Sequence, residues 1–162
     1  MMTIKPMHKW LSISAVIVIL DQITKQAVEQ SFELYDRVAV TPFFNLTLAY
    51  NEGAAFSFLS DAGGWQRWFF LVLTLVISTV LFFWLKKSEH KTESLAISLV
   101  LGGAIGNFID RLLFGHVIDF LDVYYDTHHW PAFNVADMAI SGGVALLILS
   151  TFIQQPTQSE EK

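Results

Sequence analysis

The chain has 162 residues, of which 53% are hydrophobic and 15% charged, and its net charge is −5. A soluble domain carries about 25% charged residues, so the shortfall points to lipid as solvent, and the acidic balance excludes a nucleic-acid partner, which needs a basic patch. The sequence contains no cysteine, which excludes disulfides, thiolate metal sites, a cysteine nucleophile and lipidation of the chain on cysteine.

A helix crosses a bilayer with roughly 20 mostly apolar residues. The first candidate span, 10–28, begins with the apolar run from Trp10 to Leu20 and is then interrupted by DQITK. Its basic start (Lys5, Lys9) gives it the outline of a signal peptide, but no small-x-small cleavage site follows, so the span is expected to be retained. Asp21 and Lys25 are spaced i, i+4 and stack on one helix face, which predicts an interfacial ion pair orienting this helix. The connection that follows, 29–66, carries VAVTPFFNLTLAYN and then the small-residue run GAAFSF. Mixed β-branched and aromatic residues with partial alternation predict short strands on the membrane surface, pairing with one another because lipid offers no partners.

The second span, 67–85, has no formal charge between Trp68 and Leu85. The third, 93–110, closes on Asp110 and Arg111 and contains GGAIGNFIDR. Gly102 and Gly106 form a small-xxx-small pair that lets another helix approach closely. Gly103, Asn107 and Asp110 share a face, and Arg111 beside them is placed to orient an aspartate or bind a carbonyl, so the group reads as a supporting shell.

The second long connection, 111–136, leads into the fourth span, 137–154. Between Gly115 and Asp137 there are four aspartates and no lysine or arginine. Asp122 and Asp126 flank VYY and read as solvated loop charges, and His128 with His129 as an exposed pair rather than metal ligands. Asp119 sits among Val117, Ile118, Phe120 and Leu121, an apolar setting that favours a neutral carboxyl. Asn134 and Asp137 suit the N-cap and first-turn acid of the fourth span, a position that favours the charged form. Brought together, two such carboxyls would share one proton and serve as acid and base. The spacing permits that meeting and equally permits a purely structural cap.

Lys5, Lys9, Lys86, Lys87, Lys91 and Lys162 fall on one side of the four spans, against Arg37, Arg67 and Arg111 on the other, with Lys25 near the end of the first span. Both termini are therefore expected in the cytoplasm and both long connections outside. The fold class is an integral membrane α-helical protein, with four transmembrane helices and a small β-rich extracytoplasmic segment. A single membrane-embedded domain over 1–162 is expected, with a disordered tail at 155–162. A small proton-coupled transporter would also use acids and glycine-rich helices. Carriers of that kind place an acid mid-helix and show repeats, whereas here the acids sit at span ends and no repeat is visible.

Five blocks in order, DQITK (21–25), NLTLAYNEGAAFS (45–57), GGAIGNFIDR (102–111), GHVIDF (115–120) and FNVAD (133–137), resemble the signature blocks of the lipoprotein signal peptidases, the type II signal peptidases of bacterial inner membranes. The resemblance implies an aspartic intramembrane protease that removes the signal peptide of diacylglyceryl-modified prolipoproteins, cutting before the lipidated cysteine. It implies Asp119 and Asp137 as the catalytic pair. Asn51, Gly53, Asn107, Asp110, Arg111 and Asn134 would shape the pocket, and Asp21 and Lys25 would fill a more structural role. It implies no metal and no cofactor, lipidated prolipoproteins and membrane lipid as partners, a monomer, and an active site at the extracytoplasmic face.

Overall fold

The computed structural model describes residues 7–53 and 63–153. The expected tail at 155–162, the GAAFSF run beyond Gly53, and the basic residues Lys5 and Lys162 lie outside them. Within the described residues four helices are long and apolar enough to cross a membrane: α1 (Met7–Glu29), α2 (Trp65–Lys87), α3 (Lys91–Leu113) and α4 (Val135–Ile153). Each of the first three has 23 residues, about 34 Å at 1.5 Å per residue, enough to cover a hydrocarbon core of about 30 Å. Lys86 and Lys87 end α2 where the helix dipole favours cations.

α3 is the central helix and packs against the other three. Its small residues make this possible. A Cβ on Gly102 would stand 2.8 Å from the Ser14 carbonyl oxygen, one on Gly106 2.6 Å from an Asp21 carboxylate oxygen, and one on Gly103 would collide with the Ala136 carbonyl oxygen. The close approach predicted from Gly102 and Gly106 is thus made to α1, while Gly103 serves α4. Ile97, Leu101, Leu81 and Leu85 form a core at the end of the bundle that carries Lys86, Lys87 and Lys91.

At the opposite end lies an antiparallel sheet in the order β1 (Arg37–Thr41), β2 (Phe44–Asn51), β3 (Val117–Tyr125), β4 (His128–His129). β1 and β2 are the short strands expected in the first long connection. β3 is formed from the apolar run around Asp119, and it pairs with β2 in a register that sets Asn51 opposite Val117 and Ala49 opposite Asp119. Leu48, Ile118, Phe120 and Val28 seal the sheet against the end of α1.

Two sequence expectations are corrected by this packing. Asp122, expected as a solvated loop charge, is only 3% exposed because the β2–β3 register sets it opposite Asn45. Asn45 Nδ2 donates to it at 2.9 Å, and His129 Nδ1 lies 2.8 Å away. Burial pushes its carboxyl up, but the hydrogen bonds from Asn45 and His129 outweigh it and hold the carboxyl below the usual range. Asp126 is exposed, at a turn where its φ is +54°. Asp21 and Lys25, expected at the membrane interface, are 0% and 1% exposed inside the bundle, because a third charged partner reaches them from α3.

Candidate active site

The site is built where α4 begins. Asn134 precedes the helix and accepts from the backbone N–H of Asp137 at 2.9 Å, while the Asp137 carboxylate accepts from the backbone N–H of Asn134 at 3.2 Å. This reciprocal cap satisfies two N–H groups at the helix start and fixes the Asp137 rotamer. The second Asp137 oxygen accepts from Asn107 Nδ2 of α3 at 2.8 Å. Asp137 is half-buried and lies in the wall of a cavity of about 480 Å³, with Asn51, Asn107, Arg111, Trp130 and Met138 among its neighbours there.

Asp119 projects from β3 and is 3% exposed. One oxygen accepts from Asn134 Nδ2 at 2.7 Å, and the other from Asn51 Nδ2 at 3.1 Å. Burial, and after it the charge of Asp137, raises its carboxyl to about 7 against the two amide hydrogen bonds that oppose the rise. Asn134 is the link between the two acids: its amide nitrogen holds Asp119 and its amide oxygen holds the backbone of Asp137. Asn51 is fixed in turn, since its oxygen accepts from the Gly53 N–H at 3.0 Å.

Of the two roles read for Arg111, orienting an aspartate or binding a carbonyl, the structure shows the second. Arg111 Nη2 donates to the Gly53 carbonyl at 2.7 Å, and its guanidinium lies 4.9 Å over the Phe70 ring. The carbonyl it binds belongs to the chain itself, and it clamps the end of the first long connection to the bundle.

Beneath these groups sits a buried ion cluster. Lys25 Nζ lies 2.8 Å from Asp21 Oδ2, 2.8 Å from Asp110 Oδ2 and 3.0 Å from Asn107 Oδ1. Each carboxylate also accepts from one backbone N–H. Asp21 Oδ1 accepts from the N–H of Ala136 at 2.9 Å, and Asp110 Oδ2 from the N–H of Ile118 at 3.2 Å. Ala136 and Ile118 are the residues immediately before Asp137 and Asp119. A single chain of contacts therefore joins the ten site residues that the resemblance implies: Asp21, Lys25 and Asp110 to Asn107, Asn107 to Asp137 and Asn134, and Asn134 through Asp119 and Asn51 to Gly53 and Arg111.

Sequence reasoning missed Gln22, whose Nε2 donates to Asp110 Oδ1 at 2.7 Å. The signal was present: a polar amide beside Asp21 in an otherwise apolar span. Trp130, Phe133, Met138 and Ser141 of the cavity wall carried no such signal. Both acids are surrounded by amide donors, and among the described residues no three His, Asp or Glu side chains converge as a metal site.

The family model of signal peptidase (SPase) II matches residues 13–153. The chain is 52% identical over 155 residues to a lipoprotein signal peptidase of Alteromonas mediterranea, covering 94% of this chain and 85% of that one. It is 46% identical over 166 residues to a lipoprotein signal peptidase of Cellvibrio japonicus, covering 99% and 98%. The fold matches a bacterial membrane enzyme structure determined by the in meso method at 2.3 Å resolution, with a TM-score of 0.84, 34% identity, and coverage of 96% of this chain and 94% of that one. A second such structure, at 1.9 Å resolution, gives a TM-score of 0.78 and 35% identity over 92% and 95%. None of these similarities supports a transporter.

Proposed function

The chain belongs to the signal peptidase II family, and we propose that it is an aspartic endopeptidase cutting prolipoproteins before a diacylglyceryl-modified cysteine, with Asp119 and Asp137 as its acid and base. The observation that carries this reading is the Asn134 amide, which holds a buried carboxyl raised to about 7 on one side and a helix-capping carboxylate on the other. Near neutral pH such a pair holds one proton, the condition for acid and base to work together.

Asp137, whose carboxylate accepts from the Asn134 backbone N–H and from the Asn107 amide, acts as the base. It takes a proton from water as the water oxygen attacks the scissile carbonyl carbon, and Asp119 gives its proton to the carbonyl oxygen. When the tetrahedral intermediate collapses, the C–N bond breaks, the leaving amine takes the proton held by Asp137, and the re-forming carboxyl returns a proton to Asp119. The half-buried setting strengthens both transfers by excluding bulk water.

In this reading the basic residues at the α2–α3 turn mark the cytoplasmic side, so both termini are cytoplasmic and the sheet and cavity face the outside of a bacterial inner membrane. The substrate's apolar segment stays in lipid while its lipidated cysteine rests at the interface. The cavity wall suits that arrangement, with Trp130 and Phe133 lining it beside Asp137, and Met138 and Ile140 of α4. The whole chain works as one membrane-embedded unit and as a monomer, without metal or cofactor.

The test is cleavage of a synthetic diacylglyceryl prolipoprotein by purified protein in detergent with chelator present, read as a mass shift. The parent is expected to cut before the lipidated cysteine, and folded Asp119→Asn and Asp137→Asn variants to be silent. A variant that kept the parent rate would remove the aspartyl mechanism.

A further inference from the structure

The buried Lys25 has no place in the reaction just described, yet its ammonium is one side chain away from Asp137. Lys25 Nζ touches Asn107 Oδ1 at 3.0 Å, and Asn107 Nδ2 touches Asp137 Oδ1 at 2.8 Å. An ammonium has only donors, so the Asn107 atom facing it must be the oxygen. The amide's N–H groups are thereby turned towards Asp137. Asn134 Nδ2, at 3.3 Å from the same oxygen, adds a weaker vote for that orientation.

From this geometry we infer that Lys25 is a positioning residue for catalysis, which holds the Asn107 amide donor-first against Asp137. The inference rests on the aspartyl reading above. Without the ammonium only the weaker Asn134 contact holds that orientation, and an amide that flips turns its oxygen to Asp137. A flipped amide repels a carboxylate and accepts from a carboxylic acid, so the base is lost to its protonated form. Removing the positive charge itself acts in the same direction.

The other charged groups around the pair do not substitute for Lys25. From α1 comes Asp21, and from α3 Asp110, both acids that Lys25 offsets. Arg111 of α3 lies close enough for its charge to act on Asp137 and Asp119, but it donates to the Gly53 carbonyl and does not hold the Asn107 amide. β2 offers the neutral Asn51, and β3 offers Asp119, whose proton is the other half of the chemistry. Arg67 of α2 is held by the carbonyls of Arg111 and Leu112. Among the described residues, Lys25 is the one cation in hydrogen-bond contact with an amide that touches the base.

A residue that merely stabilised the bundle would change how much active enzyme there is and leave the shape of the pH–rate curve alone. The experiment is therefore the pH profile of kcat/KM on the lipopeptide substrate for the full chain in detergent, for the parent, Lys25→Met and Lys25→Arg. The acid limb, where the base takes up its proton, is expected to move up by about one pH unit in Lys25→Met and to return towards the parent position in Lys25→Arg. Should Lys25→Met fail to fold, Lys25→Met/Asp110→Asn removes a carboxylate together with the ammonium and carries the same comparison, against Asp110→Asn alone. An acid limb that stays in place while kcat falls overturns the assignment and leaves Lys25 a structural residue. Asp119→Asn and Asp137→Asn run in parallel: activity in either would sink the aspartyl reading itself, whereas silent dyad variants beside an unmoved limb sink only the role of Lys25.

Discussion

Asp119 should make the folded protein less stable at neutral and alkaline pH than it would be with a neutral side chain in the same place. Its carboxyl rises from 3.8 to about 7 on folding, so the folded protein holds this proton more tightly than the unfolded chain does. The stability tied to that proton is complete below about pH 4 and is lost as pH rises through about 7. At about 1.4 kcal/mol per unit, a rise of roughly three units amounts to about 4 kcal/mol once both states are ionised. Asp119→Asn keeps the shape and cannot ionise. It has one oxygen where the carboxylate had two, so one of the donors from Asn51 or Asn134 loses its acceptor, at a cost of about 1–3 kcal/mol. The variant is therefore expected to be more stable than the parent at pH 9 by about 1–3 kcal/mol, with the advantage gone by pH 4. Thermal unfolding in detergent, followed by tryptophan fluorescence at both pH values, measures this. An Asp119→Asn protein that melts below the parent at pH 9, or by the same margin at both values, would refute the reasoning that burial and the Asp137 charge raise this carboxyl.

The same group fixes the alkaline side of catalysis. Asp119 must carry its proton to act as the acid, so kcat is expected to fall about tenfold per pH unit above about pH 7, and a rate that stayed flat to pH 9 would remove Asp119 from that role. Gly103→Ala would drive a methyl group into the Ala136 carbonyl, a backbone atom that cannot rotate aside. The first turn of α4 must then shift by about an ångström, and with it Asp137, which is expected to cost about 100-fold in kcat. Gly142→Ala, with nothing within 4 Å of the added carbon, is the control and is expected to cleave at the parent rate in the same mass-shift assay.

What the sequence disclosed and what it withheld divide along range of contact. The four helices are legible because composition alone dictates them: an uncharged run such as Trp68–Leu85 has few other solutions in lipid. β1 and β2 are legible from local alternation. β3 is not, since VIDFLDVYY becomes a strand only by pairing with residues about 70 positions earlier, and no local pattern announces that partner. The burial of Asp122 is hidden from the sequence for the same reason. Its neighbours in sequence are those of a wet loop, and only the register opposite Asn45 buries it. The Asn134–Asp137 cap was readable because it is local, and it forms as spaced.

The Asp21–Lys25 pair shows where the division acquires functional meaning. Spacing i, i+4 identifies the pair, but an isolated pair at the membrane surface would contribute little. Buried, the cluster of Asp21, Lys25 and Asp110 removes three charges from water, a cost that mutual attraction alone often fails to offset. What distinguishes this cluster is where its surplus acceptors point. Asp21 ends on the N–H of Ala136 and Asp110 on the N–H of Ile118, each one residue ahead of an acid of the proposed pair. The backbone that carries Asp137 and the backbone that carries Asp119 belong to a helix and a strand separated in sequence by β4 and its flanking loops. They are fastened to two carboxylates that share one ammonium. Breaking that ammonium contact would leave two acids side by side in the bundle, and their separation would pull the two backbones apart. An expensive buried cluster makes physical sense when what it fixes is the distance between two other carboxyls, a quantity that apolar packing alone would hold far less sharply.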